Sequence, residues 1–230
     1  MDLIYNEINN LGILPKEIIN YIFEIIYRQG CLILEDGTIL DYYYAQYRDL
    51  AIFISVPENC NVLSGYVRGI EQSVFPKVKK INFHQNITNI FSNVFMYNRF
   101  LTTLELPDSI IELRNNVFKN CFNLKYIKLP KLLESIGESC FRNCISLEEI
   151  YFNDNLETIG MYAFDSCKSL KKLFIPKNIR EIALYAFTEC NNLEEIEFEN
   201  KIGYFDYLNF DYFYRNLNLN NSSKITILHE

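Results

Sequence analysis

Four cysteines at one spacing are the first residues in this sequence that could do chemistry. Cys121, Cys144, Cys167 and Cys190 recur every 23 residues. Thiols can ligate zinc, pair as disulfides or act as nucleophiles. A zinc motif needs ligands paired a few residues apart and converging on a point, and Cys140 with Cys144 is the one such pair in the run. A disulfide needs two side chains that face each other. A fixed spacing of 23 instead sets the thiols in a ladder, all pointing the same way, as small buried residues of an inner column. Cys31 and Cys60 lie outside that register. The two imidazoles, His84 and His229, have no nucleophile motif beside them. The eight glycines form no phosphate-cradling loop, and no pair of carboxylates converges. No metal, cofactor or catalytic residue is expected, and the chain is not read as an enzyme.

The cysteines belong to a larger repeat. Phe95, Phe118, Phe141, Phe164 and Phe187 mark the same period. Leu101, Leu124, Leu147, Leu170 and Leu193 follow six residues after each. Leu104, Ile127, Ile150, Leu173 and Ile196 come next, and Leu106, Leu129, Phe152, Ile175 and Phe198 two residues later. Pro107, Pro130 and Pro176 close three units, with Asn153 and Glu199 in the other two. In Tyr126-Ile127-Lys128-Leu129 the alternation puts Ile127 and Leu129 on one face and Tyr126 and Lys128 on the other, as in a strand. Pro130 ends it, because proline cannot donate to a ladder. The segment from Ile136 to Cys144 has helix-like spacing and predicts a short helix or turn on the opposite side. One such unit cannot bury its own apolar face, so the units must stack.

The unit from Leu156 to Pro176, with Ile159-Gly160, Ala163-Phe164, Cys167, Leu170, Leu173 and Ile175-Pro176, resembles the BspA-like class of leucine-rich repeats. The resemblance implies an α/β repeat solenoid, an arc with short parallel strands on its concave side. The regular repeats cover 87–202, within a solenoid expected over 50–230 whose end units are degenerate caps. Ile54, Val56 and Pro57 read as an early strand, and Lys224 to Leu228 as a last one. The family ranges from adhesive surface proteins to intracellular binding modules, which implies protein binding without catalysis, with a surface adhesin as an alternative.

Residues 1–49 read as a separate helix and hairpin. Pro15 suits a first helical position, Ile18, Ile22 and Ile25 share an apolar face, and Asp36-Gly37 fits a tight hairpin turn. The string Leu14-Pro15-Lys16-Glu17-Ile18-Ile19-Asn20-Tyr21-Ile22-Phe23 resembles the opening of an F-box. That resemblance implies a Skp-type adaptor as partner, through Leu14, Pro15, Ile18 and Ile22, and a role as substrate adaptor for a ubiquitin ligase. The other reading is a helix that caps the first repeat.

The outward strand positions would form the binding surface: Tyr126, Lys128, Glu149, Tyr151, Lys172, Phe174, Glu195 and Glu197. Glu149, Lys172 and Glu195 alternate in sign and could simply pair along the ladder. Tyr126, Tyr151 and Phe174 make a diagonal of aromatics, which suits either an interface or mere strand preference. The net charge of -7 comes without a basic stripe, so nucleic acid is not an expected partner. No apolar run reaches bilayer length, and Met1 to Leu14 lacks the features of a signal peptide. An intracellular location, in cytoplasm or nucleus, is therefore expected.

Overall fold

The 23-residue unit folds into one coil of a solenoid, and each coil contributes a strand to each of two walls. The structure, a computed structural model, describes residues 77–199 together with the backbone of three outlying strands, Phe53–Ser55 (β1), Val62–Leu63 (β2) and Lys224–Ile227 (β14). On the first wall lie β3 (Lys80–Asn82), β5 (Thr103–Glu105), β7 (Tyr126–Lys128), β9 (Glu149–Tyr151), β11 (Lys172–Ile175) and β13 (Glu195–Phe198). On the second lie pairs of residues: β4 (Asn89–Ile90), β6 (Glu112–Leu113), β8 (Ser135–Ile136), β10 (Thr158–Ile159) and β12 (Glu181–Ile182).

The second wall is one continuous parallel sheet in the order β12-β10-β8-β6-β4-β2. The first wall is parallel too but divided, as β1-β3, β5-β7-β9 and β11-β13-β14. Its registers follow the sequence period: Thr103 opposes Tyr126 and Tyr126 opposes Glu149, while Lys172 opposes Glu195. The end strands break that period. Phe53 pairs with Lys80 and Glu195 with Lys224, so the end coils are longer than the regular ones. Both expected outer strands, near Ile54 and at Lys224 onwards, are present.

The helical part of the expected α/β solenoid is corrected by this structure: no helix occurs among the described residues. The stretch from Ile136 to Cys144 is a two-residue strand followed by consecutive turns. Left-handed residues recur in two columns, at Asn93, Asn116, Ser139, Tyr162 and Tyr185, and again four residues on at Tyr97, Asn120, Asn143, Ser166 and Glu189. Between them the backbone N–H groups divide their bonding. Ser139, Phe141 and Asn143 donate across to carbonyls of the next coil, while Cys140, Arg142 and Cys144 donate three residues back. Every donor of this stretch is thereby satisfied without a helix, as buried backbone requires. Apolar spacing alone could not distinguish these turns from a helix, because both bring residues three and four apart onto one side.

Gly137 and Gly160 mark close approaches between neighbouring coils. A Cβ on Gly137 would lie 2.6 Å from the Arg114 carbonyl carbon, and one on Gly160 2.7 Å from the Glu138 nitrogen. Within each sheet, paired strands step by about 4.8 Å per coil.

The interior is a set of like residues stacked on like. Phe95, Phe118, Phe141, Phe164 and Phe187 stack with ring centroids 5.1 to 5.4 Å apart and planes within 13° of parallel. Leu, Ile and Cys columns fill the space around them, all below one-tenth exposed. Such burial is the main stabilising force, worth about 25 cal/mol for each Å² of apolar surface removed from water. Leu14, Pro15, Ile18 and Ile22, and the whole of 1–49, lie outside the described residues.

Candidate functional site

The cysteine ladder has a structural task. Cys121 donates its thiol to the Phe95 carbonyl at 3.1 Å, and Cys144, Cys167 and Cys190 repeat this to Phe118, Phe141 and Phe164 at 3.2 Å. Burial pushes the Cys190 thiol up to about 12 and holds Cys121, Cys140, Cys144 and Cys167 well above the usual thiol range. A thiol that stays protonated and buried is a poor nucleophile and metal ligand. Among the described residues no group of three or more His, Cys, Asp or Glu is placed to hold a metal ion. In the coil where Asn98 replaces cysteine, its amide donates to the Val78 carbonyl and its oxygen accepts from the Phe100 and Leu101 N–H groups. A side chain with a donor and an acceptor thus bonds the preceding coil at a different carbonyl from the thiols and caps the turn as well.

The outward residues of the first wall present a different chemistry. Strands β5, β7 and β9 share an exposed–buried–exposed pattern, with Leu104, Ile127 and Ile150 turned inward. Tyr126, Lys128, Glu149, Tyr151 and Lys172 are exposed, and Phe174, Glu195 and Glu197 are half-buried. The structure therefore brings all eight expected residues onto one face. Tyr151 is the most exposed large hydrophobic side chain among the described residues, at 62%. Its hydroxyl donates to the Glu149 carboxylate at 2.9 Å, which orients the ring and raises the phenol's pKa.

The register arranges charge in bands, coil by coil. The segment 79–85 around β3 carries only positive side chains, Lys79 and Lys80. That around β5, 102–108, carries only Glu105 and Asp108. Around β7, 125–131, stand Lys125, Lys128 and Lys131; around β9, 148–154, stand Glu148, Glu149 and Asp154. Around β11 come Lys171, Lys172 and Lys177, and around β13 Glu194, Glu195, Glu197 and Glu199. Lys224 on β14 continues the alternation.

Neighbouring bands pair unevenly. Lys128 meets Glu105 at 3.9 Å and Lys131 meets Asp108 at 2.9 Å, and Lys131 holds the Asp108 carboxyl below its usual range. Lys172 pairs with Glu195, which raises the lysine's pKa, and Lys177 meets Glu199 at 3.7 Å. The acids of 148–154 form no ion pair among the described residues, whereas the bands on either side pair in part with their outer neighbours, β7 with β5 and β11 with β13. The sheet is divided at the same place, between β9 and β11.

Sequence reading missed a second exposed apolar group, on the turns. Met161 and Leu184 are each about 40% exposed, and Tyr162 and Tyr185 stack at 5.2 Å beside them. Arg142 lies over the Tyr162 ring, 5.0 Å from its centroid, while its guanidinium pairs with the buried Asp165 at 2.9 Å. The signal was in the columns: the polar pairs Ser92-Asn93, Asn115-Asn116 and Glu138-Ser139 give way to Met161-Tyr162 and Leu184-Tyr185.

Comparison with known proteins follows the same lines. The family model described as a BspA type leucine rich repeat region matches in six copies, over residues 54–144 and 111–230. No curated protein matches the sequence. Among solved structures, a leucine rich repeat protein of T. pallidum is 25% identical with a TM-score of 0.50, over 65% of this chain and 62% of that one. A leucine rich cell surface protein from Faecalibacterium prausnitzii A2-165 is 16% identical with a TM-score of 0.48, over 77% and 59%. The pneumococcal vaccine antigen PcpA is 17% identical with a TM-score of 0.45, over 87% and 72%. The chain thus spans about three fifths of the first two structures.

Proposed function

This chain belongs to the BspA type leucine-rich repeat family, and from that premise we propose that it is a non-catalytic protein-binding module working through the outward face of its first wall. The observation that carries this reading is Tyr151. A large aromatic ring, 62% exposed, is held in one orientation by Glu149 on a rigid strand. Rigid exposed aromatics are common interface anchors, because they bury much area for little lost conformational freedom. Tyr126 lies one coil before it and Phe174 one coil after, with Lys128, Lys172, Glu195 and Glu197 around them to set orientation and exclude wrong partners.

Changing Tyr151 and Phe174 together to alanine should abolish capture of a protein partner from an extract of the native host. The midpoint of thermal unfolding should fall by only a few degrees, since Tyr151 is exposed and Phe174 only half-buried. Capture that survives the double change moves the binding face elsewhere.

The adaptor reading rests on sequence alone. It predicts that a Skp-type protein co-purifies with the chain and is lost when Leu14 and Pro15 are changed. An intracellular site of action is likewise our proposal. Fractionation that finds the native protein on the cell surface would favour the adhesin alternative.

A further inference from the structure

The banding of the first wall identifies a partner that would fit it. We propose that this face pairs with the same face of a second copy, about a two-fold axis parallel to the strands and passing between β9 and β11. The inference rests on the reading of this wall as the binding face, but not on the identity of any other protein captured there.

The argument begins with parity. Successive segments from β3 to β14 carry one sign of charge each, and the sign changes at every coil. A two-fold axis at a boundary between bands sets every band against one of opposite parity, and therefore of opposite sign. The face is self-complementary for that reason alone, as a two-fold interface must be. With the axis between β9 and β11, Glu149 faces Lys172 of the second copy, Glu148 faces Lys171, and Tyr151 lies against Phe174. The lysines of the β7 band then meet the glutamates of β13.

Two observations place the axis there. The β9 acids have no ion-pair partner within the chain among the described residues, whereas the flanking bands are paired outward, β7 to β5 and β11 to β13. The most exposed aromatic ring among the described residues stands on β9 and the half-buried Phe174 on β11. A partner of a single sign would be attracted by one band and repelled by the next, about 4.8 Å away. Another stack of coils supplies the matching pitch without further adjustment.

The contact is small. Six strands at that spacing, each about 10 Å long, give roughly 300 Å² on each copy. A standard interface covers about 800 Å² per partner, so the dimer should be weak and sensitive to salt.

Sedimentation equilibrium of the full chain at low salt, from about 5 to about 500 μM, should show a reversible monomer–dimer equilibrium, with dissociation near ~100 μM. Raising the salt to about 0.5 M should weaken it at least ~10-fold. Glu148→Lys and Lys171→Glu should each weaken it by a similar factor, because every reversal appears twice across a two-fold axis. The double variant E148K/K171E should return to within about 3-fold of the original, as the opposite charges again face each other. Circular dichroism melts establish that each variant is folded.

A chain that stays monomeric at every concentration, or a double variant that fails to recover, overturns the proposal. If such a monomer still loses partner capture on changing Tyr151 and Phe174, the binding face stands and only the second copy is excluded. A dimer that ignores the charge reversals and also survives Tyr151→Ala forms through another surface and overturns the proposal.

Discussion

The turn wall and the first strand wall belong to the same coils but vary in different ways. Along the turns, inward columns repeat one residue type, phenylalanine on phenylalanine and cysteine on cysteine, each making the same contact one coil on. Along the first wall the inward columns are equally regular, but the outward residues change sign at every coil and include the exposed Tyr151. A buried column is constrained by the coil above and the coil below at close-packed density. An outward position is constrained mainly by its ladder neighbours and by whatever binds there. The stack therefore has one side that fixes spacing and another free to carry recognition.

That contrast breaks first at the phenylalanine ladder. Phe141→Ala removes a fully buried ring stacked on both sides and should cost about 3–5 kcal/mol, read as a lower urea midpoint. A loss under ~1 kcal/mol would mean the turn wall is not the rigid side. Gly160→Ala sets a Cβ against backbone of the preceding coil and should cost about 1–3 kcal/mol in the same measurement. Asn143→Ala should cost about 1–2 kcal/mol. It loses a residue type that tolerates the left-handed region, and with it the hydrogen bond from Nδ2 to Asn120 Oδ1.

The smallest effect lies on the strand side. Lys131 lowers the folded-state pKa of Asp108, so its contribution is present above the ordinary aspartate value and is lost as pH falls through the lowered one. The pair is exposed, and replacing Asp108 by asparagine should only slightly flatten the fall of melting temperature below about pH 4. A large flattening would show that the banded face also holds the fold together, contrary to the division argued above.

Much of the fold was legible in the sequence because stacking copies each position onto its equivalent. The columns of Phe, Leu and Ile gave the coil, its inward residues, its main strands and the harmless role of the cysteines. The far segments were left as a short helix or a turn, since i, i+3 and i+4 apolar spacing fits a helix as well as two left-handed corners around Phe141. Asn116, Asn120 and Asn143 hinted at those corners, but Tyr162, Tyr185 and Glu189 occupy the same columns and give no such hint. The paired residues of the second sheet are too short to show any alternation.

For the candidate site, sequence placed the eight outward residues on one face but not the state of their charges. Lys172 and Glu195 do pair, as simple ladder neighbours would, whereas Glu149 instead accepts from Tyr151. The ridge of Met161, Tyr162, Leu184 and Tyr185 went unremarked because a segment whose backbone is left as helix or turn gives no guide to which of its residues face outward.

The sequence by itself determined the period, the identity of the buried columns and the sign of every band, because these follow from residue type at fixed intervals. Only the tertiary structure decided that the far side is a second sheet joined by left-handed turns, that the first wall is divided after β9, and which carboxylates find a lysine. Those outcomes depend on backbone hydrogen bonds and side-chain reach between coils. Residue spacing sets which positions become neighbours, but not which of the available bonds they form.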